Sequence, residues 1–139
     1  MGEVESVIGQ TGIFTHDIET EDLGMALVTF RNGAFGMILG TTTYPETVEA
    51  TVEIHGDKGA AVTARGELIR WHFEDKEFEK QEFPYDGPRN IVEDVLRMLK
   101  EGKEPMVTGR EARKSVEIIL AIYESARRGG ERVKLPLEA

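Results

Sequence analysis

MALVTFRNGAFGMILG, residues 25–40, decides the fold. Two apolar runs of alternating character flank Asn32-Gly33, a pair that tolerates positive φ and predicts a two-residue type I′ hairpin turn. Register follows from the turn. Arg31 faces Ala34, and counting outward sets Phe30 against Phe35, Val28 against Met37 and Ala26 against Leu39 on one face. Thr29 with Gly36, Leu27 with Ile38 and Met25 with Gly40 take the other face. A helix stripe needs a large apolar partner, so the bulky set is expected beneath helices and the smaller set outward.

Working downstream, EATVEIH keeps the period of two, with Ala50, Val52 and Ile54 on one side and Thr51, Glu53 and His55 on the other. AAVTAR and ELIRWHF predict a second hairpin across Arg65-Gly66, and KEFEKQEF reads as a further strand. Trp71 alternates with Ile69 and Phe73 as core, and His72 falls on the opposite face at the surface. FPYDGP breaks the pattern. Asp86 can cap a helix starting near Pro88, with the stripe Ile91, Val95, Met98 and Leu99 and with Gly102 beyond its end. Thr108-Gly109-Arg110-Glu111 is a capping box opening a second helix, whose Ala112, Val116, Ile119, Leu120, Tyr123 and Ala126 recur at three and four. RVKL closes the pattern as a short strand.

Strands followed by helices predict an α+β fold. The expected architecture is an open-faced, largely antiparallel β-sheet of six or seven strands with two C-terminal helices packed on one face. At 139 residues the chain is expected to form a single domain, 1–139.

Composition removes several function classes. With 26 acidic against 17 basic residues the formal charge is -9, and no basic block exists to track a phosphate backbone or an anionic bilayer. Neither nucleic acid nor membrane is expected as a partner. The absence of cysteine excludes disulfides, thiolate nucleophiles and cysteine-ligated metals. IILAIY is far short of the about 20 apolar residues a membrane span requires, and MGEVESVIGQ lacks a basic start and an apolar stretch. A cytoplasmic location is the expectation.

Two stretches could carry chemistry. VEIHGDKGA, residues 52–60, gathers Glu53, His55, Asp57 and Lys58 around two glycines, yet no helix start follows them to supply a phosphate cradle. It reads as a strand ending in a turn, Asp57-Lys58 lying between Gly56 and Gly59. THDIETED, residues 15–22, collects oxygens that a hard cation could use, without a glycine or loop spacing to curl them round it. It reads as a solvated loop or strand entry, with a ligand-facing His16 as the alternative. No G-x-G-x-x-G, P-loop, H-E-x-x-H or G-x-S-x-G motif occurs.

EDLGMALVTFRNGAFGMILGTTT (21–43), VEIHGDKGA (52–60) and EPMVTGREARKSVEIILAIYESARRGGERVKLP (104–136) together resemble the C-terminal domain of the glucose-fructose oxidoreductase / inositol dehydrogenase / MocA (Gfo/Idh/MocA) family. In the last segment Pro105, Val107, Gly109, Glu111, Ala112, Ala121, Tyr123, Ser125, Val133, Leu135 and Pro136 fall at the family's spacing. HDIETED followed by TTTYP is most similar to its nucleotide-sugar and hexose dehydrogenases.

The resemblance implies an NAD(P)-dependent oxidoreductase of sugars whose Rossmann domain, catalytic lysine segment and Asp-x-x-x-His helix all lie upstream. None of these matches a position of this sequence, so no catalytic, cofactor-binding or metal residue is assigned. NAD or NADP is implied for the full-length enzyme. By analogy with the nucleotide-sugar subfamily, His16 and Tyr44 are expected nearest the substrate. Family members commonly associate through the sheet. A homo-oligomer is therefore expected through the open face, at Leu27, Thr29, Gly36, Ile38, Gly40, Thr42, Thr51, Glu53 and His55. Two readings follow: the substrate-side and oligomerisation domain of a sugar or nucleotide-sugar oxidoreductase, not competent alone, or a stand-alone dimerisation or small-ligand module of the same fold. A third, an independent enzyme using His16 or His55, has less to support it.

Overall fold

A computed structural model of the chain describes residues 1–44, 49–82 and 84–137. The element order is β1 (Val4–Gly12), β2 (Leu23–Phe30), β3 (Phe35–Thr41), β4 (Thr51–Gly56), β5 (Gly59–Ala64), β6 (Glu67–Phe73), α1 (Lys76–Glu79), α2 (Ile91–Glu101), α3 (Gly109–Arg127) and β7 (Val133–Lys134). The fold is α+β, and all its paired strands are antiparallel. Among the described residues, seven strands form a four-stranded sheet of order β3-β2-β1-β7 and a three-stranded sheet of order β4-β5-β6. Two compact units hold them: Met1–Thr43 with Pro88–Ala139, and Tyr44–Gly87.

In the first unit α3 lies on one face of the four-stranded sheet. Val7, Ala26, Ala121, Val133 and Leu135 form the buried core, with Val4, Ile118, Ile122 and Leu137 packed around it. Small residues allow the close approach. Ser125 is fully buried, and its Oγ accepts the Gly9 N–H at 2.8 Å and donates to the Glu131 carbonyl. It satisfies a strand N–H beyond the reach of the two-residue β7.

The decisive hairpin differs from expectation by one residue. The Phe30 N–H donates to the Ala34 carbonyl at 2.8 Å and the Gly33 N–H to the Phe30 carbonyl at 3.0 Å, giving a three-residue loop, Arg31-Asn32-Gly33. A type I′ turn would require positive φ at both Asn32 and Gly33, whereas here Gly33 alone of the two adopts it, at 87°. Asn32 instead uses its Oδ1 to accept the Ala34 N–H at 3.1 Å. Thr29 therefore pairs with Phe35, Leu27 with Met37 and Met25 with Leu39, while Val28 meets Gly36 and Ala26 meets Ile38. This one-residue slip moves every β3 side chain to the opposite face. Phe35, Met37 and Leu39, expected beneath helices, share the open face with Leu27 and Thr29. Gly36, Ile38 and Gly40, expected on the open face, share the helix side with Ala26 and Val28.

Helix α3 is capped by the Thr108 side chain, which accepts the Glu111 N–H. Helix α2 begins later than expected, because Asn90 rather than Asp86 caps it through the Glu93 N–H, and Glu93 reaches back to the Arg89 N–H. Gly102 ends it in the left-handed region, as its position after the periodic stretch predicts.

In the second unit, β5 and β6 turn through Arg65-Gly66 with φ of 53° and 79°, the type I′ geometry absent from the first hairpin. KEFEKQEF, expected as a strand, does not form one over its described residues, 76–82. Asp75 accepts the Glu77 and Phe78 N–H groups and nucleates the short helix α1, folding Phe78 back onto Trp71 and Phe73 with ring centroids 5.7 Å and 5.0 Å away.

Candidate functional site

Strand β1 ends at Gly12 and β2 begins at Leu23, so residues 13–22 connect neighbouring strands by a long loop. Asp22 closes it. Its N–H bonds the Gly12 carbonyl at 3.1 Å, and its own carbonyl accepts the Thr42 N–H at 2.9 Å and the Thr41 hydroxyl at 3.0 Å. The main chain of Asp22 is thereby fastened to β1 on one side and to the end of β3 on the other.

The Asp22 side chain is fully buried and turns into the loop. Its carboxylate accepts N–H groups from Phe14 at 2.9 Å, Thr15 at 2.7 Å and His16 at 3.0 Å. Consecutive N–H groups converging on one anion form a nest. Burial alone would raise this carboxyl, but the bonds from His16, Thr15 and Phe14 outweigh it and hold it down to about 2. Nδ1 of His16 stands 3.4 Å from Oδ2 of Asp22, and the His16 side chain is 43% exposed.

Glu21 anchors the loop a second time. Both its carboxylate oxygens lie 2.8 Å from Oη of Tyr123 on α3, and this bond raises the phenol above its ordinary range. Glu21, Asp22, Ile38, Gly40, Ile122 and Tyr123 line part of a cavity of about 430 Å³. Its lining combines apolar side chains with a few polar ones, an arrangement suited to binding. Among the described residues, no group of three or more His, Asp or Glu side chains is placed to hold a metal ion, and no helix is long and apolar enough to cross a membrane.

Of the residues singled out from sequence, His16 lies on this loop and Thr42 fastens it. Tyr44 belongs to the second unit and is exposed. Thr51, Glu53 and His55 are exposed on β4, where His55 Nε2 lies 3.4 Å from Glu53 and the Asp57-Lys58 turn joins β4 to β5 as expected. Sequence reasoning missed the separate roles of Glu21 and Asp22, grouping both with the loop acids. The available signal was position: Asp22 immediately precedes the apolar run of β2.

The open face of the first unit carries Leu27, 58% exposed, Phe35 at 81% and Met37 at 75%, flanked by Met25 and Leu39. Arg132 covers the β1 end of this face, donating to Ser6 Oγ at 2.8 Å and Thr29 Oγ1 at 3.2 Å.

Known proteins share this fold. The C-terminal alpha/beta domain of the oxidoreductase family Gfo/Idh/MocA matches residues 1–135. The WlbA dehydrogenase from Bordetella pertussis, solved in complex with NADH and UDP-GlcNAcA, is 33% identical, with a TM-score of 0.80 over 98% of this chain and 40% of that one. WlbA from Chromobacterium violaceum, solved with the same two ligands, is 32% identical, with a TM-score of 0.81 over 100% of this chain and 42% of that one. A levoglucosan dehydrogenase, 20% identical with a TM-score of 0.75 over 97% of this chain and 45% of that one, shares the fold. No match is found among curated proteins. The chain thus spans about two fifths of the length of the two WlbA enzymes. It belongs to the Gfo/Idh/MocA oxidoreductase family, whose C-terminal α/β domain it represents.

Proposed function

We propose that this chain is the substrate-side and oligomerisation domain of an NAD(P)-dependent oxidoreductase acting on a nucleotide sugar. The observation that carries the reading is the likeness, along 98% of the chain, to an enzyme whose structure holds NADH and UDP-GlcNAcA. The doubly anchored β1–β2 loop supports it, because a loop already fixed before its ligand arrives loses less conformational entropy on binding.

NAD(P) supplies hydride chemistry when bound, and the described residues do not offer its phosphates a cradle. Asn90 and Thr108 cap the two longer helices, and a Cβ on Gly109 would meet nothing within 4 Å. No step of hydride transfer is therefore assigned to them. Their part is to bind and orient the sugar, with the dinucleotide carried by the family's nucleotide-binding domain.

Oligomerisation is assigned to the open face of β2 and β3 in the first unit. Phe35 and Met37 stand almost fully in water there, beside Leu27, Met25 and Leu39. A contiguous apolar patch calls for a partner. A second copy of the chain meeting it face to face would give a self-complementary contact, and about 800 Å² per partner makes a standard interface.

The test uses the chain together with the nucleotide-binding domain that this reading requires, supplied with UDP-GlcNAcA and either NAD+ or NADP+ and followed by nicotinamide absorbance. Reduction of the dinucleotide is the expected result. Binding of the nucleotide sugar with no reduction of either dinucleotide would overturn the oxidoreductase reading in favour of a ligand-binding module.

A further inference from the structure

We infer that Asp22 is a positioning residue for His16, holding the imidazole with Nδ1 protonated and facing inward, so that Nε2 is presented outward to accept a hydrogen bond from a sugar hydroxyl. The ligand class rests on the reading just given; the positioning rests on geometry alone.

An ionised carboxylate is an acceptor only, so the imidazole nitrogen that faces it is the one that carries the hydrogen. In a neutral imidazole the other nitrogen then bears the lone pair. Here the facing atom is Nδ1, 3.4 Å from Oδ2 of Asp22. The same Oδ2 accepts the His16 backbone N–H at 3.0 Å, so one oxygen fixes the main chain of His16 and lies beside its ring. Asp22 is itself immobilised by the neighbouring Phe14 and Thr15 N–H groups and by its main-chain bonds to Gly12, Thr41 and Thr42. With the side chain 43% exposed, Nε2 is open to a ligand.

The other two histidines differ in this respect. His55 faces Glu53 at 3.4 Å and His72 faces Glu79 at 3.3 Å, but those carboxylates are 53% and 26% exposed. A solvated carboxylate competes poorly with water for a ring N–H. His16 alone of the three faces a fully buried carboxylate whose own geometry is fixed. With the ring neutral, the surface it creates is a fixed acceptor, complementary to a hydroxyl donor.

Isotope-labelled imidazole nitrogens, assigned by comparison with His16→Gln, report the tautomer directly in the protein as encoded. The wild type is expected to carry hydrogen on Nδ1 of His16. Asp22→Ala removes the acceptor, and the hydrogen should move to Nε2, where an isolated histidine side chain prefers to carry it. Hydrogen on Nε2 in the wild type, or an unchanged tautomer in a folded Asp22→Ala protein, overturns the positioning whether or not the protein turns over a sugar. Should Asp22→Ala fail to fold, the wild-type tautomer, which a merely structural role of Asp22 would not set, and the His16 variants decide. His16→Leu should raise KM for UDP-GlcNAcA about threefold to tenfold with little change in kcat, and His16→Gln, which keeps an acceptor, should recover most of it. An unchanged KM in His16→Leu overturns the ligand contact. Absence of turnover by the wild type removes the ligand class together with the oxidoreductase reading, while the Nδ1 tautomer still establishes the positioning.

Discussion

Gly9 of β1 lies directly beneath Ile122 of α3: a Cβ on Gly9 would stand 2.8 Å from Cγ2 of Ile122 and 3.1 Å from its Cα and its carbonyl oxygen. Two of those three neighbours are helix backbone, which cannot move aside as a side chain can. Gly9→Ala should therefore lift the helix off the sheet and destabilise the fold by about 1–3 kcal/mol. Urea unfolding followed by circular dichroism measures it, and a midpoint equal to the wild type's would show that the packing is looser than these distances indicate.

Ser125→Ala tests the polar half of the same contact. The substitution leaves the buried Gly9 N–H without its 2.8 Å acceptor and the Glu131 carbonyl without a donor. Nothing apolar replaces them. A loss of about 1–3 kcal/mol is expected from the unsatisfied groups, with hydrogen exchange at Gly9 accelerated relative to the rest of β1.

Acid should loosen the protein through Asp22. Its carboxyl is held at about 2 in the fold against an ordinary 3.8, so between those values the unfolded chain binds more protons than the folded one. Its contribution is complete above about 3.8 and is lost as pH falls through about 2. Glu124, held down to about 2 by hydrogen bonds from Arg127 and Arg128, acts in the same direction over a similar window. Salt separates the two, because Glu124 is partly exposed and its ion pairs are screened. Melting temperature against pH should flatten in Asp22→Asn at low and high salt alike, whereas the flattening in Glu124→Gln should fade as salt is added.

The corrected register reverses one expectation about association. Met37 faces solvent on the open side of β3 and Ile38 faces the helix side. Met37→Glu should dissociate the proposed oligomer and leave the melting of the subunit intact, while Ile38→Glu should lower subunit stability. Sedimentation equilibrium with parallel circular dichroism distinguishes them, and a wild type that is monomeric at tens of micromolar removes the oligomer altogether.

Alternation and capping residues were enough to read most of the elements from sequence. Gly102 marked the end of α2, Thr108 the start of α3, and Arg65-Gly66 a true type I′ corner. What alternation could not supply was the count of residues in the first turn. Asn32-Gly33 fits two geometries, and the choice lies in one side-chain bond, Asn32 Oδ1 to the Ala34 N–H, that no periodicity encodes. Residues 76–79 show the same limit: a single Asp75 cap outweighed the strand-like alternation around Phe78. The site was legible only as a cluster of acids. That Asp22 would turn inward and Glu21 toward Tyr123 depends on partners 8 and 102 residues away.

The nest around Asp22 is built on the loop side from main-chain N–H groups, those of Phe14, Thr15 and His16. Every residue except proline can supply such a group. The side chains at positions 14–16, and those of Asp17 to Thr20 beyond them, can therefore be exchanged without disturbing the clasp that gives the loop its shape. A segment built in this way behaves as an interchangeable cartridge, free to diverge in what it recognises while the fastening stays the same. Drift in specificity across relatives should accordingly concentrate on those seven positions, with Asp22 itself the hardest to replace.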